Sequence, residues 1–217
     1  MRIGFRVGFF GGSFDPPHYG HLAVAQAAAK AFALDTVLLA PTAHQPLKPQ
    51  GADASFVDRL AMVQLLCAGE PGLEASELEA PSTASESGAA AVPNYTIDTL
   101  QRLRAQLQTS NEISTAEIFV VVGIDAFLEL ERWRDPRGLL AAAQWIVVTR
   151  PEFATARLDA MQLSAAERAR VHVLTDVQVP VSATEIRRCL EAGEDCSEWL
   201  PRRVLDYIRV HGLYKAS

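Results

Sequence analysis

Short, unbroken apolar runs separated by helical periods constrain this chain more than any other feature. Arg6–Phe10 (RVGFF), Thr36–Ala40 (TVLLA), Ile118–Val122 (IFVVV), Trp145–Thr149 (WIVVT) and Val171–Leu174 (VHVL) show no in–out alternation. A strand apolar on both faces needs cover on both, which points to a parallel sheet between layers of helices. Leu73–Leu78 is a weaker sixth candidate. Of the intervening segments, Leu22–Phe32 is Ala-rich, and Ser55 opens a helix running through Cys67. Thr96–Leu107 sets Ile97, Leu100, Leu103 and Leu107 on one stripe. Ser164-Ala-Ala-Glu167 and Ser182-Ala-Thr-Glu185 are capping boxes, and Trp199–Val210 is a last amphipathic helix. The alternation predicts an α/β fold with a doubly wound, mostly parallel sheet and a small C-terminal helical part. Ala80–Pro93 (APSTASESGAAAVP) has no period and reads as a loop, either a lid or a disordered segment.

Composition narrows the partners. Of 217 residues, 49% are hydrophobic, enough for a substantial core. A net charge of −6 argues against nucleic acid as a partner but leaves small anionic ligands open. Cys67, Cys189 and Cys196 form no C-x-x-C pair, and any disulfide scheme leaves one over, which fits a reducing compartment. The apolar stretch Val7–Phe14 is far short of the roughly 20 residues needed to span a bilayer. It also lacks a cleavage pattern, so no membrane partner or signal peptide is expected and the protein reads as cytoplasmic.

The densest chemistry is Gly11-Gly12-Ser13-Phe14-Asp15-Pro16-Pro17-His18-Tyr19-Gly20-His21. Two glycines after a buried strand let the backbone turn and approach a ligand. The prolines set the chain's direction before a helix opens near Tyr19 or Gly20. A helix start carries unpaired N–H groups and partial positive charge, which suits phosphate. His18 and His21, three apart, share one face of its first turn, where an imidazolium could donate to phosphate oxygens. The string is neither a P-loop nor a G-x-G-x-x-G fingerprint. His18, His21 and Asp15 could ligate a metal, but no third imidazole or cysteine sits at a typical local spacing. A second string, Val181-Ser182-Ala183-Thr184-Glu185-Ile186-Arg187, opens a capped helix and presents the planar fork of an arginine. Alone it would be an ordinary helix start.

The string GGSFDPPHYGH resembles the nucleotide-binding motif of nucleotidyltransferases marked by a T/H-x-G-H element, and most of all that of the bacterial nicotinate-nucleotide adenylyltransferases. Ser13 stands where that family usually has Thr, keeping the hydroxyl. The second string resembles the family's Ile-Ser-[Ser/Ala]-Thr-x-[Ile/Val]-Arg element. The resemblance covers Val7 to Tyr214 and implies the Rossmann-like nucleotidyltransferase fold as a single domain, with a core over 1–180 and the helical part over 181–217.

It also implies site residues. ATP would be held by Gly11, Gly12, Ser13, Phe14, Asp15, His18, Gly20 and His21, by Gly123 and Asp125 of a Gly-x-Asp at nucleoside hydroxyls, and by Ser182, Thr184 and Arg187 on the outer phosphates. His18, His21 and Arg187 would be catalytic. Pro93-Asn94-Tyr95-Thr96-Ile97-Asp98-Thr99-Leu100 resembles the segment that holds the nicotinate carboxylate, with Tyr95 and Thr96 at the contact and Trp133 stacking on the pyridine. Arg150 and Lys48 would meet the mononucleotide. Leu47 replaces a customary histidine, and the Ala80–Pro93 loop is longer than usual and lacks a basic residue.

The implied reaction joins ATP, with Mg²⁺, to nicotinate mononucleotide and releases pyrophosphate. The acceptor phosphate is already anionic, so catalysis is positioning and charge stabilisation without a protein nucleophile. The same chemistry on nicotinamide mononucleotide or phosphopantetheine, and a non-catalytic nucleotide sensor, are the competing readings. Monomer and homo-oligomer are equally open.

Overall fold

A computed structural model describes residues 4–45, 51–81, 92–109, 116–149, 155–175, 177 and 181–215. Six strands are present: β1 (Phe5–Gly12), β2 (Thr36–Pro41), β3 (Leu73–Ala75), β4 (Ala116–Gly123), β5 (Gln144–Val148) and β6 (Val171–Leu174). They form one sheet in the order β3-β2-β1-β4-β5-β6, every neighbouring pair parallel. The described helices are α1 (Tyr19–Phe32), α2 (Phe56–Cys67), α3 (Thr96–Thr109), α4 (Ile124–Leu128), α5 (Pro136–Ala142), α6 (Thr155–Asp159), α7 (Ala165–Arg168), α8 (Ala183–Glu191) and α9 (Arg202–His211). This is the doubly wound α/β fold that the alternation implied, in the Rossmann-like form that the family resemblance implied. No described helix is long and apolar enough to cross a membrane.

The pleat sorts each strand's side chains onto opposite faces. Val7, Phe9, Ile118, Val120, Trp145 and Val147 share one face and bury against Leu100 and Leu103 of α3 and Leu139 and Leu140 of α5. On the other face Phe119, Val121 and Ile146 meet Val24 and Ala28 of α1. Val37 and Leu39 of β2 belong to a further cluster with Met62, Val63 and Leu66 of α2, Ile186 of α8 and Val204, Leu205 and Ile208 of α9. Continuous apolar strands are therefore the signature of a sheet covered twice. All three cysteines are buried thiols.

Several boundaries move from their expected places. β1 runs on through both glycines to Gly12, which pairs with Pro41, so the glycines end the strand rather than making the turn. Phe14 makes it, with φ of 49°. β3 stops at Ala75, and a turn from Glu77 to Ala80 sends Leu78 into the core. The last helix starts at Arg202 rather than Trp199, because Pro201 disfavours helical backbone at the residue before it. Lys48, Leu47, Arg150 and residues 82–91 of the long loop lie outside the described residues.

Candidate active site

Between β1 and β4 the strand order changes direction, and connections leaving their carboxyl ends part to opposite sides, opening a crevice. A cavity of about 390 Å³ fills it, walled by Gly11, Gly12 and Ser13 from β1 and by Val122 and Gly123 from β4. Thr42, Glu79, Tyr95, Thr96, Trp133 and Arg134 also line it.

Beside the cavity, His18 and His21 build the start of α1 out of their own rings. His18 is the N-cap, and its Nδ1 accepts from the Gly20 amide at 3.1 Å. In return the His18 amide donates to His21 Nδ1 at 3.2 Å. This is a reciprocal capping box in imidazole form. An N–H can only donate, so both Nδ1 atoms are unprotonated and each neutral ring carries its proton on Nε2. The rings lie 3.9 Å apart between centroids, and His21 packs 4.8 Å from Phe14. Burial pushes His18 down to about 4. Burial, then the neighbouring His18, hold His21 well below its ordinary range. The expected imidazolium is therefore a pair of neutral Nε2–H donors. The expected open helix amides are also partly spoken for, since the Tyr19 amide donates to the Trp199 carbonyl at 2.9 Å and the Gly20 amide to His18.

The late arginine reaches this turn. Arg187 Nη1 donates to the Asp15 carbonyl at 2.8 Å, across 172 residues of chain, and Nε pairs with Asp53. Asp15 is 3% exposed, and its carboxylate accepts from the Asp53 and Ala54 amides at 2.7 and 3.1 Å and from the Tyr214 hydroxyl at 2.6 Å. The Asp15 side chain thus braces the turn from inside, and Phe14 lies in the core at 1% exposure. Burial and the Asp15 charge push the Tyr214 hydroxyl far up. Ser182 caps α8, accepting from the Glu185 amide at 3.2 Å and donating its hydroxyl to Glu185 at 2.7 Å. Thr184 is exposed in the first turn. Gly123 caps α4 and is exposed, as is Asp125 in the first turn, which does not line the cavity.

Tyr95, Thr96 and Trp133 share the cavity's far wall. Arg134 lies over the Tyr95 ring at 4.7 Å. Trp133 meets Trp145 edge-on at 6.1 Å, and its buried Nε1–H has no partner among the described residues. The structure therefore gathers Gly11, Gly12, Ser13, Gly123, Tyr95, Thr96 and Trp133 round one cavity, and His18, His21 and Arg187 round the adjoining turn.

Sequence reasoning missed the supports. Arg59 is 2% exposed and donates to the Ser13 carbonyl at 2.7 Å. It sits on the same stripe of α2 as Met62, Val63 and Leu66, and an arginine on an apolar stripe was the available signal. Glu79 is 3% exposed and accepts from Thr42 and from Thr99 at 3.0 Å, tying the end of β2 to the first turn of α3. Burial raises its carboxyl above the usual range against both hydroxyls. Nothing in the spacing of Thr42, Glu79 and Thr99 announces that link. Among the described residues no group of three His, Cys, Asp or Glu side chains is placed to hold a metal ion.

Residues 9–189 match the family model described as cytidylyltransferase-like, the class to which this sheet and its two helix-start motifs point. Over 210 residues the chain is 35% identical to the "Probable nicotinate-nucleotide adenylyltransferase" of Roseiflexus castenholzii, covering 97% of this chain and 98% of that one. It is 36% identical to the protein of the same name from Solibacter usitatus, covering 96% and 99%. In fold it is similar to the Plasmodium falciparum nicotinic acid mononucleotide adenylyltransferase complexed with APC, with a TM-score of 0.69 at 15% identity over 97% of each chain. The chain belongs to the nicotinate-nucleotide adenylyltransferase family.

Proposed function

We propose that this protein transfers AMP from ATP to nicotinate mononucleotide, giving nicotinate adenine dinucleotide and pyrophosphate in NAD biosynthesis. The observation that carries the reading is the bond from Arg187 to the Asp15 carbonyl, which joins the two phosphate motifs beside one cavity. The 5′-phosphate oxygen of the acceptor attacks the α-phosphorus of ATP in line. The bond from that phosphorus to the α–β bridging oxygen breaks, and its electron pair leaves with pyrophosphate. His18 and His21 donate from Nε2 to oxygens on the α-phosphate, where charge builds up. Arg187 and Thr184 meet the departing phosphates, with Ser182 acting through the cap it gives α8. Asp15 and Phe14 are positioning residues for Arg187 and His21.

Gly11, Gly12, Ser13 and Gly20 keep backbone close to the nucleotide, and Gly123 and Asp125 serve its hydroxyls. Tyr95, Thr96 and Trp133 hold the pyridine, and Lys48 and Arg150 the acceptor's mononucleotide. Mg²⁺ would come with ATP and offset the charge of its phosphates. We place the enzyme in the cytoplasm, whose reducing conditions suit its buried thiols.

Pyrophosphate release from ATP, measured with nicotinate mononucleotide, nicotinamide mononucleotide and phosphopantetheine in turn, tests the reading. Nicotinate mononucleotide should give the highest kcat/KM. Turnover confined to another acceptor, or ATP binding with no product from any, would overturn it.

A further inference from the structure

The far wall of the cavity carries a cation that no family motif assigned. Arg134 follows Trp133 at the end of the short 3₁₀ turn Leu130–Arg132, and both residues line the cavity beside Tyr95 and Thr96. Two contacts orient the guanidinium there, although the side chain is 58% exposed. It lies 4.7 Å from the Tyr95 ring centroid, and Nη1 is 3.4 Å from Asp98 of α3. Arginine offers five N–H donors in a planar fork, more than one exposed carboxylate at that distance engages. The other charged groups on the lining have nearer partners: Glu129 pairs with Arg132 at 3.0 Å, and Glu79 takes the hydroxyls of Thr42 and Thr99. The Trp133 indole N–H, buried without a partner among the described residues, stands in the same wall as a second donor.

We propose that Arg134 determines acceptor choice, its guanidinium meeting the pyridine carboxylate of nicotinate mononucleotide and giving no matching gain to the neutral carboxamide of nicotinamide mononucleotide. The assignment rests on the function proposed above. The acceptor's phosphate must lie at the α-phosphorus, beside the histidine turn, so its pyridine end extends toward the aromatic wall. A hydrogen bond between ionised partners is roughly twice as strong as a neutral one. A site built for a charged group discriminates mainly through the partner left unmatched by the wrong substrate.

The test compares wild type with Arg134→Gln and Arg134→Lys, measuring kcat and KM for both mononucleotides at saturating ATP, with melting temperatures as a check on folding. The ratio of kcat/KM for nicotinate over nicotinamide mononucleotide should fall by about tenfold or more in Arg134→Gln, the size of one charge-assisted hydrogen bond. The loss should appear as a raised KM for nicotinate mononucleotide, with the KM for ATP held, and Arg134→Lys should fall between. A ratio within about twofold of wild type, or equal losses on both acceptors, would overturn the assignment, on the scale where about 1.4 kcal/mol is tenfold. Wild type that fails to use nicotinate mononucleotide at all would instead overturn the function on which the assignment rests.

Discussion

His18 and His21 have their chemistry set by the backbone they cap. Asparagine is among the best N-caps, so His18→Asn should keep α1 and the melting temperature within a few degrees. It removes an Nε2–H, and kcat should fall about a hundredfold, the usual cost of one transition-state donor. His21→Ala should lose at least about as much; near-normal turnover in either variant would remove the assignment. Acid should reveal the buried ring. The unfolded chain protonates His18 below its ordinary 6.5, whereas the folded protein resists until about 4. Between those values the unfolded state binds more protons, so unfolding free energy should drop as pH falls, by roughly 3 kcal/mol for this one residue. Urea titrations at several pH values should show that slope, and His18→Asn should flatten it. The His-x-Gly-His spacing was legible in the sequence, but its protonation was not. That depends on Phe14 and the partner ring closing over it, contacts made only after folding.

At the scale of elements, runs such as IFVVV and WIVVT announced β4 and β5 because a strand buried on both faces has no other way to look. The capping boxes at Ser164 and Ser182 are present as read, each pattern being local in sequence. What local pattern cannot carry is a link between elements. Asp15 holds the loop before α2, the end of the chain and, at 4.0 Å, Arg187 of α8. Asp15→Asn turns an amide N–H₂ toward groups that are all donors. It should cost about 3 kcal/mol, as breaking a buried charge network does, and raise the KM for ATP more than that for the acceptor. Thermal melts and ATP titrations check both halves, and an unchanged melting temperature would show the brace to be idle.

Across the whole molecule, the histidine turn is braced by residues from the opposite end of the described chain. The cluster holding Phe14 also holds Ile186, Val204 and Ile208, so the helices after the sheet complete the core beneath the histidine turn. The order of the two motifs along the chain was legible through family resemblance. The anchoring of the turn by Tyr214 was not, since nothing marks one tyrosine near the end of a chain as a partner for Asp15. Tyr214→Phe removes that half-buried donor to a buried carboxylate and should cost about 2 kcal/mol, lowering the melting temperature by about 4–8 °C for a chain of this length. A melt indistinguishable from wild type would count against it. The bond from Arg187 back to Asp15 also has a meaning for biosynthesis of the enzyme itself. A polypeptide leaving the ribosome displays His18 and His21 long before Arg187 emerges, so the turn that carries the two rings receives this brace last. The histidine turn reaches its final packing only when translation has delivered the closing helices.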